Sequence, residues 1–299
     1  MVGGIGLVEL QVVAASGPQF GELYGPVAFL TGSAIMLGSL VAGWYYWHDR
    51  PRYMALGAVL GAWVMYPAVM PNNGITHPLG YALVFAFPVA VGRIIQQDAR
   101  TLLMRIRRNQ LASRTALAAS GLFAVFFAFS AGTLSLNPDT VPSMDTTRKV
   151  VVVPLTDPLV SWPAVEFYFP SVPLAGFVSI GTVILVGVLA TLVGLNAGYV
   201  ADRWTRANDE TADSAFAGSL AASGATACCC CAPAMYGVLS AVFGAAATPV
   251  YWAFMDPTSP VGGLFLTVSV LLLVATLVRS SDRRPVQSSA SAGVPSSSD

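Results

Sequence analysis

Long apolar runs alternate along the chain with short polar breaks, and every second break carries arginine. Six runs are long enough to predict helices that cross a bilayer: Pro26–Trp47, Met54–Met70, Pro78–Gln96, Thr115–Leu134, Val172–Val200 and Val261–Val278. A hydrocarbon core about 30 Å thick needs about 20 apolar residues of helix. The second run is short for this. The fifth is long, and is expected to tilt or to extend past the interface. The stretch Asp213–Phe254 is harder to read. As one straight helix its roughly 42 residues would reach roughly 60 Å. It is therefore either one span with a long interfacial approach or two spans broken near Cys231–Pro233.

Charge decides between the two. Cytoplasmic loops collect Arg and Lys. The linker between the third and fourth runs carries Arg93, Arg100, Arg105, Arg107, Arg108 and Arg114, which places it inside. Alternation then brings Arg50, Arg52, Arg203 and Arg206 inside as well. A single crossing by Asp213–Phe254 adds Arg279, Arg283 and Arg284, and leaves only Arg148 and Lys149 outside. Two crossings would move the last three arginines outside and break the pattern. The reading is an all-α, polytopic integral membrane helix bundle of about seven transmembrane helices, N-terminus out and C-terminus in. Residues 1–284 make one transmembrane domain, with an extracytoplasmic loop at about 135–171. The tail 285–299, PVQSSASAGVPSSSD, is Ser-rich, and is expected to be disordered and cytoplasmic. The N-terminal MVGGIGLVELQVVAASG has no Lys or Arg ahead of its apolar run, and Glu9 interrupts it. It is expected to be retained rather than cleaved as a signal peptide.

Composition sharpens this picture. The chain is 55% hydrophobic and only 10% charged, whereas soluble domains carry about 25% charged residues. Lipid must be its main solvent, which makes it a multi-pass protein of a cell membrane. All but one of the basic residues are Arg, which reads as a trace of a GC-rich genome; the membrane is expected to be that of a prokaryotic cell. Net charge is zero and implies no nucleic-acid partner.

Two local patterns predict packing. Gly57 with Gly61, Gly194 with Gly198, and Gly237 with Ala241 and Ala245 are small residues four apart. Such rows let helix backbones approach closely in lipid. In the outer loop, RKVVVVP and VEFYFP are β-branched and aromatic runs that are expected to pair as a small hairpin capping the bundle.

Several function classes lose their support. No Asp or Glu sits near the middle of any predicted span, so a carboxylate proton relay is not expected. Seven spans with the N-terminus out resemble the microbial rhodopsins. A retinal Schiff base, however, needs a lysine in the last span, and the only lysine is Lys149 in the outer loop. There is no GxxxxGK[ST], GxGxxG, HExxH or GxSxG. The two histidines, His48 and His77, fall on opposite sides. Arg93, at the end of the third run, is expected to snorkel to the headgroups.

The stretch TACCCCAP, Thr226–Pro233, holds all four cysteines. On a helix Cys228 and Cys231 share a face, and their alpha carbons lie about 5 Å apart, within reach of a disulfide. Pro233 has no N–H for the carbonyl of Cys229, so the helix must bend or restart there. If it restarts, the thiols of Cys228, Cys229, Cys230 and Cys231 face the positive end of a helix dipole, which favours thiolate. Thiolate is a nucleophile and a soft-metal ligand. A Cys pair closely followed by Pro near a membrane helix is similar to what mercuric-ion transporters show, and reductant-conducting thiol transporters use paired membrane cysteines. The likeness covers Cys228 to Pro233. It implies handling of Cu(I), Hg(II) or thiol redox equivalents. Met70, His77, Met144 and Met255 fall on or near the outer face and form a second, outer set of candidate ligands.

The expected function is therefore a non-hydrolytic small transporter or permease-like subunit. Its Cys cluster would handle a soft metal ion such as Cu(I), or a thiol redox state. The alternatives are a non-catalytic scaffold or anchoring subunit, with the cysteines only packing, and a membrane oxidoreductase using the cysteines. Expected partners are the bilayer and another membrane protein or a second copy.

Overall fold

The structure, a computed structural model, describes residues 21–46, 48, 50–70, 76–130, 133–136, 149–156, 158–169, 174–207 and 259–282. Among them the helices are α1 (Gly21–Tyr46), α2 (Pro51–Val69), α3 (Pro78–Asp98), α4 (Arg100–Arg108), α5 (Gln110–Ser130), α6 (Ile180–Ala207) and α7 (Pro260–Asp282). Between α5 and α6 lie the strands β1 (Leu134–Leu136), β2 (Lys149–Thr156), β3 (Ser161–Phe169) and β4 (Leu174–Ser179).

Helix starts follow ordinary capping chemistry. Proline opens α2, α3 and α7, where its missing N–H costs nothing. Asn109 opens α5, its Oδ1 accepting from the backbone N–H of Leu111 at 3.1 Å. Ser179 opens α6, its Oγ accepting from the N–H of Thr182 at 3.1 Å. Each side chain satisfies a donor that the first turn leaves orphaned.

Among the described residues, five helices are long and apolar enough to cross a membrane: Glu22–Tyr46, Pro78–Asp98, Gln110–Phe129, Ile180–Thr205 and Pro260–Ser281. They match five of the six predicted runs. The remaining run corresponds to α2, which Arg52, Tyr53, Trp63 and Tyr66 make less apolar. It is instead well enclosed, with Leu56, Leu60, Trp63, Val64 and Tyr66 buried between α1, α3 and α7. Residues 213–254, the further predicted crossing, lie outside the described residues, as do the termini 1–20 and 283–299.

The described residues are mostly helical but not all-α. Its strands form one antiparallel sheet in the order β1-β4-β3-β2. The predicted hairpin is β2 with β3, in the register Lys149↔Tyr168 to Thr156↔Ser161. Of the other two strands, β4 falls inside a run predicted as helix, and β1 straddles the end of such a run and the outer loop. Thr115–Leu134 overran α5, which ends at Ser130, and Val172–Val200 swallowed β4. Apolar periodicity does not separate a short buried strand from the helix it feeds. The boundary is set by Ser179, which ends the strand and caps the helix.

Small residues fix the seams as expected. A Cβ built on Gly61 would lie 2.7 Å from the carbonyl oxygen of Gly32, and one on Gly57 would collide with Ser39, so α1 and α2 touch backbone to backbone. Gly194 and Gly198 do the same for α6 against α5, at Ala116, Ser120 and Ala112. The row Gly237, Ala241 and Ala245 lies outside the described residues.

Candidate functional site

The bundle has two chemically different ends. At the first, the start of α2 meets the ends of α3 and α7. Asp98 accepts from Arg52 Nε at 2.6 Å, from Arg52 Nη2, and from the Tyr53 hydroxyl at 2.9 Å. Arg52 also donates to the Gln97 side chain at 2.7 Å. The backbone carbonyl of Asp98 accepts from Ser281 Oγ at 2.6 Å. The hydrogen bond to Asp98 raises the Arg52 pKa above its ordinary value, so the guanidinium stays charged. Beside this cluster Asn109 donates to Asp202 at 3.3 Å and to Thr205 at 3.0 Å, tying the start of α5 to the end of α6. Arg93, α4 with its arginines, Arg114, Arg203 and Arg279 belong to this arginine end.

At the other end the sheet packs on the starts of α3 and α6. Tyr81 donates to the carbonyl of Ser161 at 2.5 Å. The Trp162 ring stacks edge-on against Tyr81 and Phe85, and its indole N–H donates to the carbonyl of Pro158 at 3.1 Å. Leu159 adopts φ 59°, a left-handed geometry costly for a branched side chain. It turns the chain so that Val160 is buried and meets Gly80.

Within the bundle lies an interhelical polar joint. Asn196 of α6 is 1% exposed. Its amide donates to the carbonyls of Leu192 at 2.8 Å and Leu273 at 3.2 Å, and its Oδ1 accepts from Thr276 at 2.5 Å. An unsatisfied amide at this depth would cost several kcal/mol; here every polar group is used. An apolar groove of about 540 Å³ runs between α3 and α6, lined among others by Phe85, Pro88, Gly92, Val183, Gly187 and Thr191. The hydroxyl of Thr191 is spent on the carbonyl of Gly187 at 2.7 Å. The groove offers shape for an acyl chain and no reactive group.

Of the predicted ligands, Cys228, Cys229, Cys230 and Cys231 lie outside the described residues, with Met144 and Met255. Met70 and His77 belong to the sheet end, and both have backbone roles there. Met70 caps α2, its N–H bonding the carbonyl of Tyr66 at 3.0 Å. His77 caps α3, its Nδ1 accepting from the N–H of Leu79 at 3.3 Å. A neutral ring that accepts at Nδ1 carries its proton on Nε2. Among the described residues, no three His, Cys, Asp or Glu side chains converge as a metal site would need.

Sequence reasoning missed the Asp98 cluster and the Asn196 joint. The second had a visible signal, because Asn196 is the lone amide in an apolar run of more than twenty residues. The first had none, since Arg52 and Asp98 are 46 residues apart in the chain. No known protein family, curated protein or solved structure matches the chain.

Proposed function

We propose that the chain is a seven-span membrane subunit with its arginine end inside, and that its Cys228–Cys231 run handles a soft metal ion or thiol redox equivalents. The observation that carries the chemistry is the run itself: four adjacent thiols with Pro233 two residues on. The spans are supported by five membrane-capable helices, with the enclosed α2 as a sixth. The seventh is supported by where the described helices stop and start. The end of α6 neighbours Asn109 at the arginine end, whereas the start of α7, near Gly263, packs beside Val64 towards the end of α2, away from Arg52. A single crossing between Ala207 and Ser259 fits those positions. The inward orientation is supported by arginines gathered at one end.

The outer set supports this reading less, because the His77 ring already spends Nδ1 on the N–H of Leu79; the Met70 cap uses only its backbone N–H. A second reading, a non-catalytic scaffold, is favoured by one observation. The polar groups of the Asp98 cluster and the Asn196 joint are turned on one another across helix seams.

Metal binding separates the two. The full-length reduced protein is expected to bind about one Cu(I) or Hg(II) per chain, and Cys228→Ser with Cys231→Ser should abolish it. For thiol redox, mild oxidant should lower the free thiol count by two, reversibly. A quadruple Cys→Ala variant that folds, and that survives copper or mercury as the parent does, would favour the scaffold.

A further inference from the structure

The linker between α3 and α5 is more than a loop with positive charge. It is folded as α4, and its two faces differ. Leu102 and Ile106, one turn apart, are buried, and Ile106 reaches Gly198 of α6. The opposite face presents Arg100, Arg107 and Arg108 to the surroundings, with Met104 exposed among them. Arg93 and Arg114, also exposed, stand on the helices at either side. None of these five makes a hydrogen bond or ion pair to another described residue, whereas the nearby carboxylate of Asp98 is taken up by Arg52 and Tyr53. Both ends of α4 run straight into membrane-capable helices. The chain therefore holds α4 at the level where those helices leave the hydrocarbon.

We infer that the outer face of α4, Arg100, Arg107 and Arg108 flanked by Arg93 and Arg114, binds the phosphate headgroups of anionic phospholipids. This rests on the membrane reading above. Guanidinium matches phosphate geometry in a two-pronged fashion, and a cluster of arginines just past the end of a membrane-spanning helix is an arrangement that attracts anionic lipid. Met104, exposed among those arginines, offers an acyl chain an apolar contact. A soluble anion would meet the same charge but find no use for that apolar group.

The test uses full-length protein in a neutral detergent, titrated with phosphatidylglycerol or phosphatidylcholine and read by native mass spectrometry. Phosphatidylglycerol is expected to bind preferentially. Arg100→Gln with Arg107→Gln and Arg108→Gln should lower its affinity about 100-fold, taking roughly fivefold for each arginine. The matching triple Lys variant should keep the preference within about threefold. In about 0.5 M salt, where screening acts over about 4 Å, the parent's preference should collapse. Equal binding of the two lipids, a Gln variant that keeps the preference, a parent whose preference survives that salt, or displacement by equimolar inorganic phosphate would each overturn the inference. The salt series needs no variant, so it decides the matter even if the Gln triple fails to fold. Failure of the membrane reading looks different, because the protein then holds neither lipid.

Discussion

The Asp98 side chain is 9% exposed, and its carboxylate accepts three hydrogen bonds, two from Arg52 and one from Tyr53. Removing one partner strands the rest. Arg52→Gln should therefore destabilise the protein by about 1–3 kcal/mol, seen as a lower unfolding midpoint in a denaturing detergent. Asp98→Asn should cost less, because an amide oxygen still accepts. The Asn196 joint makes a second case. Asn196→Val leaves the carbonyl of Leu273 and the hydroxyl of Thr276 without their shared partner, and about 1 kcal/mol should be lost. Thr276→Val should lose less, since the Asn196 amide still donates to the carbonyls of Leu192 and Leu273. An unfolding series in which Thr276→Val is the worse of the two would remove Asn196 from the centre of the joint. Asn196 was legible in the sequence as an oddity, but its partners were not. Thr276 is 80 residues away, and only tertiary packing sets that distance.

Elements were read well where one physical rule acts alone. Apolar length found five membrane-capable helices, and spacing of small residues found the seams at Gly57, Gly61, Gly194 and Gly198. The seams can be tested. Gly61→Leu drives a side chain into the backbone of Gly32 and should cost about 1–3 kcal/mol or force α1 from α2. Gly92→Leu is the control, because a Cβ there meets nothing within 4 Å, and it should change stability little. The readings failed where two rules compete. In Val172–Val200 the apolar signal runs on from strand to helix. The change is marked only by Ser179, whose capping role a hydropathy pattern does not register. The hairpin of β2 and β3 was found because β-branched and aromatic runs face each other across a short turn. The small strand β1, Leu134–Leu136, pairs with β4 some forty residues on and left no local mark.

The whole molecule is a bundle whose two ends differ in kind: an arginine end tied by the Asp98 and Asn109 clusters, and a sheet end tied by Tyr81 and Trp162. The sequence anticipated that segregation of charge, because the alternation of arginine-rich and arginine-poor breaks is a property of the chain itself. The chemistry proposed for Cys228–Cys231 depends on it, since the ends set from which side the thiols are reached. The direct measurement is side-specific labelling of single cysteines in a Cys-free background, in intact and in permeabilised cells. Glu166→Cys on the sheet should react with an impermeant maleimide in intact cells, and Arg107→Cys on α4 only after permeabilisation. Labelling of both positions from the same side would contradict a bundle that crosses the membrane between them.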